Sequence, residues 1–247
     1  MTGLTVDIAR KVFPAEHGAP ERALYQDFHF EVADGSFVAL LGPSGLGKTT
    51  LLNMIAGVDR DFEGRVSFSS GVREPRIGYA FQSPRLLPWR TVLQNVTLPL
   101  PRTAEAEARA RSVLAEMGLG DASGVYPERL SLGMQRRVAL ARAFALEPHL
   151  LLMDEPFVSL DESTAERLRD LLAELIERRP TTVLFVTHDS REAVRLADRV
   201  VVLAGPPVRI ERDVRVELTP DKRRQSGEID RVRSVVTAPP SAAAATA

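Results

Sequence analysis

The 247-residue chain contains no cysteine. That excludes disulfides, thiolate metal ligands and a cysteine nucleophile, and it fits a reducing compartment. No apolar run approaches the roughly 20 residues that a bilayer-spanning helix needs. The opening residues, Met1-Thr2-Gly3-Leu4-Thr5-Val6-Asp7, lack the charged start and apolar core of a signal peptide, so the chain is expected in the cytosol. Charge of one sign is missing too: 32 Lys+Arg against 33 Asp+Glu leave a formal net charge of -1. No global basic field therefore advertises nucleic acid as a partner, and net charge speaks only to the global field, not to a local patch. What remains is 44% hydrophobic and 26% charged residues, the balance of an ordinary soluble globular protein. The length suffices for one large domain or a core plus a smaller lobe.

The segment Gly42-Pro43-Ser44-Gly45-Leu46-Gly47-Lys48-Thr49 matches the pattern Gly-x-x-x-x-Gly-Lys-Ser/Thr at every fixed position. The glycines let the backbone wrap so that its N–H groups converge on nucleotide phosphates. Lys48 adds a full positive charge and Thr49 a hydroxyl suited to magnesium. Upstream, Phe37-Val38-Ala39-Leu40-Leu41 is an apolar run of strand length. Downstream, Thr50 to Gly57 reads as a helix with Leu51, Leu52 and Ile55 on one side. Strand, loop and helix in that order put the positive helix end at the phosphates.

The first third alternates short strands with turns: Leu4 to Ala9, Phe28 to Val32, Phe37 to Leu41, Val66 to Ser69 and Ile77 to Phe81, with a loop at Pro14 to Pro20. From Pro88 to about Leu130 the pattern turns helical, and Ala104 to Met117 carries Val113, Leu114 and Met117, as an inserted helical lobe would. A strand–helix rhythm then resumes. Its strands are Leu150 to Met153, Val183 to Val186 and Val200 to Leu203, with a helix through Leu168, Leu171, Leu172, Leu175 and Ile176. Apolar strands separated by amphipathic helices predict a mainly parallel sheet covered on both faces. Arg209 to Leu218 alternates loosely, as a last strand would, and the end from Thr237 is low in complexity and expected to be unstructured.

A phosphate loop alone covers kinases, GTPases and motor ATPases, so other motifs must decide. Four apolar residues ending in Asp154-Glu155 place two carboxylates at a buried strand's end. Asp154 can hold magnesium through water, and Glu155 can align and polarise the attacking water. His188 follows the next strand and can reach the γ-phosphate, because strand C-termini of parallel sheets face the ligand crevice. As an isolated residue it reads equally well as a cap or surface histidine. Ser131 is a candidate helix N-cap whose hydroxyl, with the N–H of Gly133, would form a second anion site; the competing reading is an ordinary amphipathic helix.

These residues, in this order, resemble the nucleotide-binding subunit of an ATP-binding cassette (ABC) transporter over roughly residues 4–205. The resemblance implies an α/β P-loop NTPase fold: a mainly parallel core, an N-terminal antiparallel β part and a helical subdomain inserted at about 88–145. It implies one domain over 1–235 and a disordered tail over 236–247. It also assigns 42–49 as the Walker A loop, Gln82 as the Q-loop glutamine, 130–134 as the signature, 150–155 as Walker B, Ser159-Leu160-Asp161 as the D-loop and His188 as the switch histidine. ATP and Mg2+ follow as cofactors. The implied nucleotide contacts are Gly42, Pro43, Ser44, Gly45, Gly47, Lys48, Thr49, Thr50, Ser131, Gly133 and Asp161, with Phe13 stacking on adenine and Tyr25 as the fallback. Thr49, Gln82 and Asp154 are the implied magnesium ligands, and Glu155, His188, Lys48 and Gln82 the catalytic set.

The signature departs from the family's Leu-Ser-Gly-Gly-Gln, since its third and fifth positions are Leu132 and Met134. Leu132 puts a bulky side chain on a closely approached surface. The family works as head-to-tail dimers, so the implied partners are a second ATPase subunit, a transmembrane permease gripped through residues 82–96, and a periplasmic or lipoprotein solute-binding protein. The 82–96 segment holds the only tryptophan, Trp89, together with exposed-looking leucines; it reads alternatively as the packed root of the helical lobe. Phe81-Gln82-Ser83-Pro84-Arg85-Leu86-Leu87-Pro88-Trp89 is similar to importers of the nitrate, sulfonate and taurine group, which implies a site of action at the cytoplasmic face of the inner membrane. Two rivals stand beside this. A soluble ABC ATPase acting on nucleic acid or ribosomes predicts tandem cassettes, a coiled coil or a basic surface, and a GTPase or small-molecule kinase predicts an Asn-Lys-x-Asp motif. The chain shows none of these.

Overall fold

The computed structural model describes residues 2–14, 21–69 and 75–239. The expected loop beyond Pro14 and the tail from residue 240 lie outside them. The chain divides into two compact units, one formed by Leu4–Ser67 together with the chain from Leu184, the other by Phe68–Val183 with the residues ahead of Leu4.

In the first unit, β1 (Leu4–Phe13) and β2 (Arg22–Val32) pair antiparallel from Leu4↔Val32 to Phe13↔Arg22. Both strands run further than the sequence suggests. The register shifts between Lys11 and Val12, and such an irregularity breaks the simple alternation on which a sequence reading relies. β3 (Phe37–Leu41) is buried at every position, as a strand covered on both faces must be. It leads through residues 42–47 into α1 (Lys48–Ile55) and then β4 (Glu63–Phe68). Strands β2, β1 and β4 form a three-stranded sheet in that order, which is the expected antiparallel part.

In the second unit, β5 (Ile77–Ala80) precedes three helices: α2 (Val92–Val96), α3 (Ala104–Glu116) and α4 (Leu132–Ala145). Each begins at a hydroxyl cap. The Thr91 side chain accepts from Gln94 N in a capping box, Thr103 from Ala106 N and Ser131 from Met134 N. Arg137 and Arg109 tie α4 to α3 by donating to Met117 O at 2.9 Å and between the helices to Ala145 O at 2.8 Å. β6 (Leu150–Asp154) is fully buried and pairs parallel with β5, Ile77↔Leu150 to Ala80↔Met153. α5 (Glu162–Arg178) turns Ala165, Leu168, Leu172 and Leu175 inward at helical spacing.

β7 (Thr182–Thr187) carries the chain back to the first unit, followed by α6 (Ser190–Leu196), β8 (Arg199–Ala204), β9 (Arg209–Arg215) and α7 (Ser226–Thr237). There β3 pairs parallel with β8, and β8 antiparallel with β9. α7 was not legible in the sequence. It buries only Ile229 and Val236, and it is strapped on by polar contacts: Arg191 to Asp230 at 2.8 Å, Arg233 Nε to Ser190 Oγ at 3.0 Å and Arg212 to Val235 O at 3.1 Å. No helix among the described residues is long and apolar enough to cross a membrane.

Candidate active site

The phosphate loop forms from its own sequence. Gly47 caps α1 at φ 105°, and a Cβ there would also sit 2.8 Å from Leu24 Cδ1, so only glycine satisfies both backbone and space. Leu46 is buried and anchors the loop, while Pro43, Ser44 and Gly45 are exposed. Lys48 is only 4% exposed, and its Nζ donates to Gly42 O at 2.7 Å and Pro43 O at 2.9 Å. The cation is thus held inside the curl of the loop. Thr49 is exposed and Thr50 half-buried on the first turn of α1.

Phe13 and Tyr25 have opposite surroundings. Phe13 is 45% exposed at the end of β1, with Lys11 Nζ 5.7 Å from its ring centre. Tyr25 is wholly buried, and its hydroxyl donates to Gly47 O at 3.0 Å. Burial pushes the Tyr25 phenol well above its ordinary pKa. Tyr25 therefore braces the loop and has no open ring face, which removes it as the fallback for stacking. His188 is exposed directly after β7, the neighbour of β3 in the sheet. Its turn is framed by Thr187 Oγ1, which donates to Glu192 at 2.7 Å and accepts from Asp189 N at 3.0 Å.

In the second unit, Asp154 ends β6 at 2% exposure. Glu155 comes next at φ 44°, and Ser159 lies at φ 63°. Left-handed backbone at a non-glycine residue costs on the order of 1–3 kcal/mol and persists where the surroundings over-determine it, often at functional sites. Those surroundings include Arg136 of α4, whose guanidinium donates to Gln82 O, Glu155 O and Val158 O. Burial lowers the Arg136 pKa and the Glu155 charge opposes that shift. The Gln82 side chain is exposed, and the loop after it is gripped again by Arg142, which donates to Pro84 O and Arg85 O at 2.9 Å each.

Ser131 is the exposed N-cap of α4, as its position before the helix suggests, and Leu132 stands 40% exposed beside it. Gly133 is buried, and a Cβ there would lie 2.7 Å from Thr164 Cγ2. Asp161 caps α5, accepting from Ser163 Oγ at 2.7 Å and Thr164 N at 3.0 Å. The Ser163 bond first, then those from Thr164, hold its carboxyl down at about 2. In the 82–96 segment Trp89 is 71% exposed, whereas Leu86 and Leu87 are half-buried rather than exposed. The fully buried Asn95 pins that segment, accepting from Leu87 N and donating to Leu87 O, Arg90 O and Thr91 O.

Among the described residues no group of three or more His, Asp or Glu side chains could cage a metal. Thr49 offers a hydroxyl in the first unit and Asp154 a carboxylate in the second, and each is the kind of oxygen donor that a hard cation such as magnesium takes.

A phosphate loop on a strand–helix junction, a buried strand ending in Asp-Glu and a Ser-capped helix on an α/β scaffold define an ATP-binding cassette ATPase. Residues 25–158 match the ABC transporter family model, and the chain belongs to that family. It is 41% identical over 235 residues to an aliphatic sulfonates import ATP-binding protein of Xanthomonas axonopodis pv. citri, covering 92% of this chain and 91% of that protein. Its identity to a protein of the same description in Rhodococcus jostii is 47% over 202 residues, 79% of this chain and 81% of the other. Among solved structures it is similar to a dimeric ATP-binding cassette in a post-hydrolysis state bound to ADP and Pi, with TM-score 0.74 and 31% identity, over 87% of this chain and all of that one.

Proposed function

We propose that this ABC ATPase energises an importer, driving a small oxyanionic solute of the sulfonate, nitrate or taurine kind through a separate membrane permease. The observation that carries this reading is the match to aliphatic sulfonate import proteins over 91% of a relative's length. The dimeric cassettes among its structural relatives support a second ATPase subunit, here a second copy of the chain. A periplasmic or lipoprotein solute-binding protein completes the system, with this subunit peripheral at the cytoplasmic face of the inner membrane. The exposed Trp89 supports docking of the permease on residues 82–96.

Within each shared site, the Gly42–Thr50 loop and Lys48 bind the phosphates, and Phe13 stacks on adenine. Thr49, Asp154 and Gln82 would hold Mg2+, which supplies charge neutralisation for the phosphates. Glu155 takes the proton of the attacking water, Gln82 and His188 align the reacting groups, and Asp161 with the partner subunit's Ser131 and Gly133 closes the site. Phosphoryl transfer to water needs mostly positioning and neutralisation of developing charge, which this set provides.

The reading is tested in cells lacking the gene and grown with an alkanesulfonate as sole sulfur source. The wild-type gene should restore growth and uptake of labelled sulfonate, and Glu155→Gln should restore neither while still binding ATP. Unimpaired sulfonate uptake without the gene overturns the proposed solute. Near-wild-type turnover by Glu155→Gln removes Glu155 as the base, whose loss should slow hydrolysis by about 10²–10⁴-fold.

A further inference from the structure

Arg136 lies on the second turn of α4 and is only 6% exposed. Its guanidinium serves three backbone carbonyls on two loops: Nη1 donates to Gln82 O at 2.6 Å and Glu155 O at 3.4 Å, and Nη2 to Val158 O at 2.9 Å. Gln82 follows β5 closely, and Glu155 is the first residue after β6, the parallel neighbour of β5. One fork therefore spans the ends of two adjacent strands. It also holds both ends of a closed turn, since Val158 N donates to Glu155 O at 3.2 Å. That turn starts at the left-handed Glu155 and is followed at once by the left-handed Ser159, and backbone of this kind keeps its conformation only under outside constraint.

We propose that Arg136 is a positioning residue for hydrolysis: by clamping these carbonyls it fixes the backbone that aims the Glu155 carboxylate, and it ties that aim to Gln82 and to the signature helix. The proposal rests on Glu155 as the general base. Two properties of arginine matter. The planar fork reaches carbonyls in divergent directions, which the single ammonium of lysine does not do, and its charge strengthens each bond. The carbonyls that Arg136 holds belong to Gln82, Glu155 and Val158, whereas the phosphates are assigned to residues 42–50, so binding and chemistry should separate when the clamp is cut.

The experiment compares Arg136→Met, Arg136→Lys and Glu155→Gln with wild type in the full-length chain, measuring kcat and KM for MgATP hydrolysis together with thermal unfolding. Arg136→Met should lower kcat about 10–100-fold with KM within about twofold, an effect on an interaction expressed in the transition state. Arg136→Lys, which keeps the buried charge, should recover part of kcat at unchanged KM; it carries the test if the methionine variant does not fold. Wild-type kcat in either variant overturns the clamp, and so does a loss that appears equally in KM and in folding. If Glu155→Gln hydrolyses at the wild-type rate, the base assignment falls and takes this proposal with it. A slow Glu155→Gln beside a normal Arg136→Lys overturns the clamp alone.

Discussion

Gly47 O accepts two hydrogen bonds, from Leu51 N at 3.0 Å as the first helical bond of α1 and from the Tyr25 hydroxyl at 3.0 Å. The phenol thus fixes the loop's last glycine from β2, while its ring packs edge-on to Phe28 at 5.0 Å. Tyr25→Phe keeps the packing and removes one bond without orphaning the carbonyl. Stability should fall by about 0.5–1.5 kcal/mol, and the Kd for ATP should rise severalfold; titration with a fluorescent ATP analogue and a denaturant melt check both, and two unchanged values would dismiss the brace. At this scale the places of Lys48 and Thr49 at the start of α1, of Asp154 and Glu155 at the end of β6 and of Ser131 as a helix cap were legible, because each is written in local spacing. Tyr25 and Arg136 were not. Their partners are 22 and 54 residues away in sequence, and a buried arginine on an amphipathic helix looks like any exposed one until the fold turns it inward.

Elements read best where local signals agree. β3 matches its expected span to the residue, because five apolar positions are bounded by turns on both sides. α7 escaped notice because its anchors are one salt bridge and hydrogen bonds to α6 and β9 rather than an apolar stripe. The start of α4 shows close packing deciding one residue. Gly133 fits closely against Thr164 on the first turn of α5, so Gly133→Ala should destabilise by about 1–3 kcal/mol through overpacking, lowering the melting temperature by about 2–4 °C per kcal/mol. Adding Thr164→Ser removes the opposing methyl and should restore most of the loss. If the double variant melts as low as the single, the methyl contact is not the cause. The β5–β6 pair offers a pH test. His149 Nδ1 accepts from Arg76 N at 2.9 Å, and burial, then the Arg76 charge, lowers the histidine pKa below its ordinary value. A depressed histidine favours its neutral form in the fold, so its stabilising contribution is present above about pH 6.5, the unfolded value, and is lost as pH falls through the lower folded value. His149→Asn keeps an acceptor that does not titrate. Its melting temperature should therefore fall less than that of wild type between about pH 7.5 and 5; parallel declines would exclude His149 as the titrating group.

For the whole molecule, each proposed ATP site needs two chains, and the departure from the family signature lies where they would meet. Leu132 is 40% exposed at the first position of α4, so the fold of one chain gives it little to do. In the proposed head-to-tail dimer it would stand beside Ser131 and Gly133, on the surface that closes over the other subunit's phosphates. A side chain there resists close approach, whereas glycine admits it. Leu132→Gly should leave the melting temperature nearly unchanged, because an exposed helix position costs at most about 1 kcal/mol for glycine and less at the first turn. The ATPase rate of the assembled complex should rise by about 3–10-fold, the equivalent of about 0.7–1.4 kcal/mol off the barrier. Rates measured at saturating MgATP decide the matter: equal rates in the two proteins mean that Leu132 does not govern closure, and a slower glycine variant means that its side chain helps the two subunits to dock.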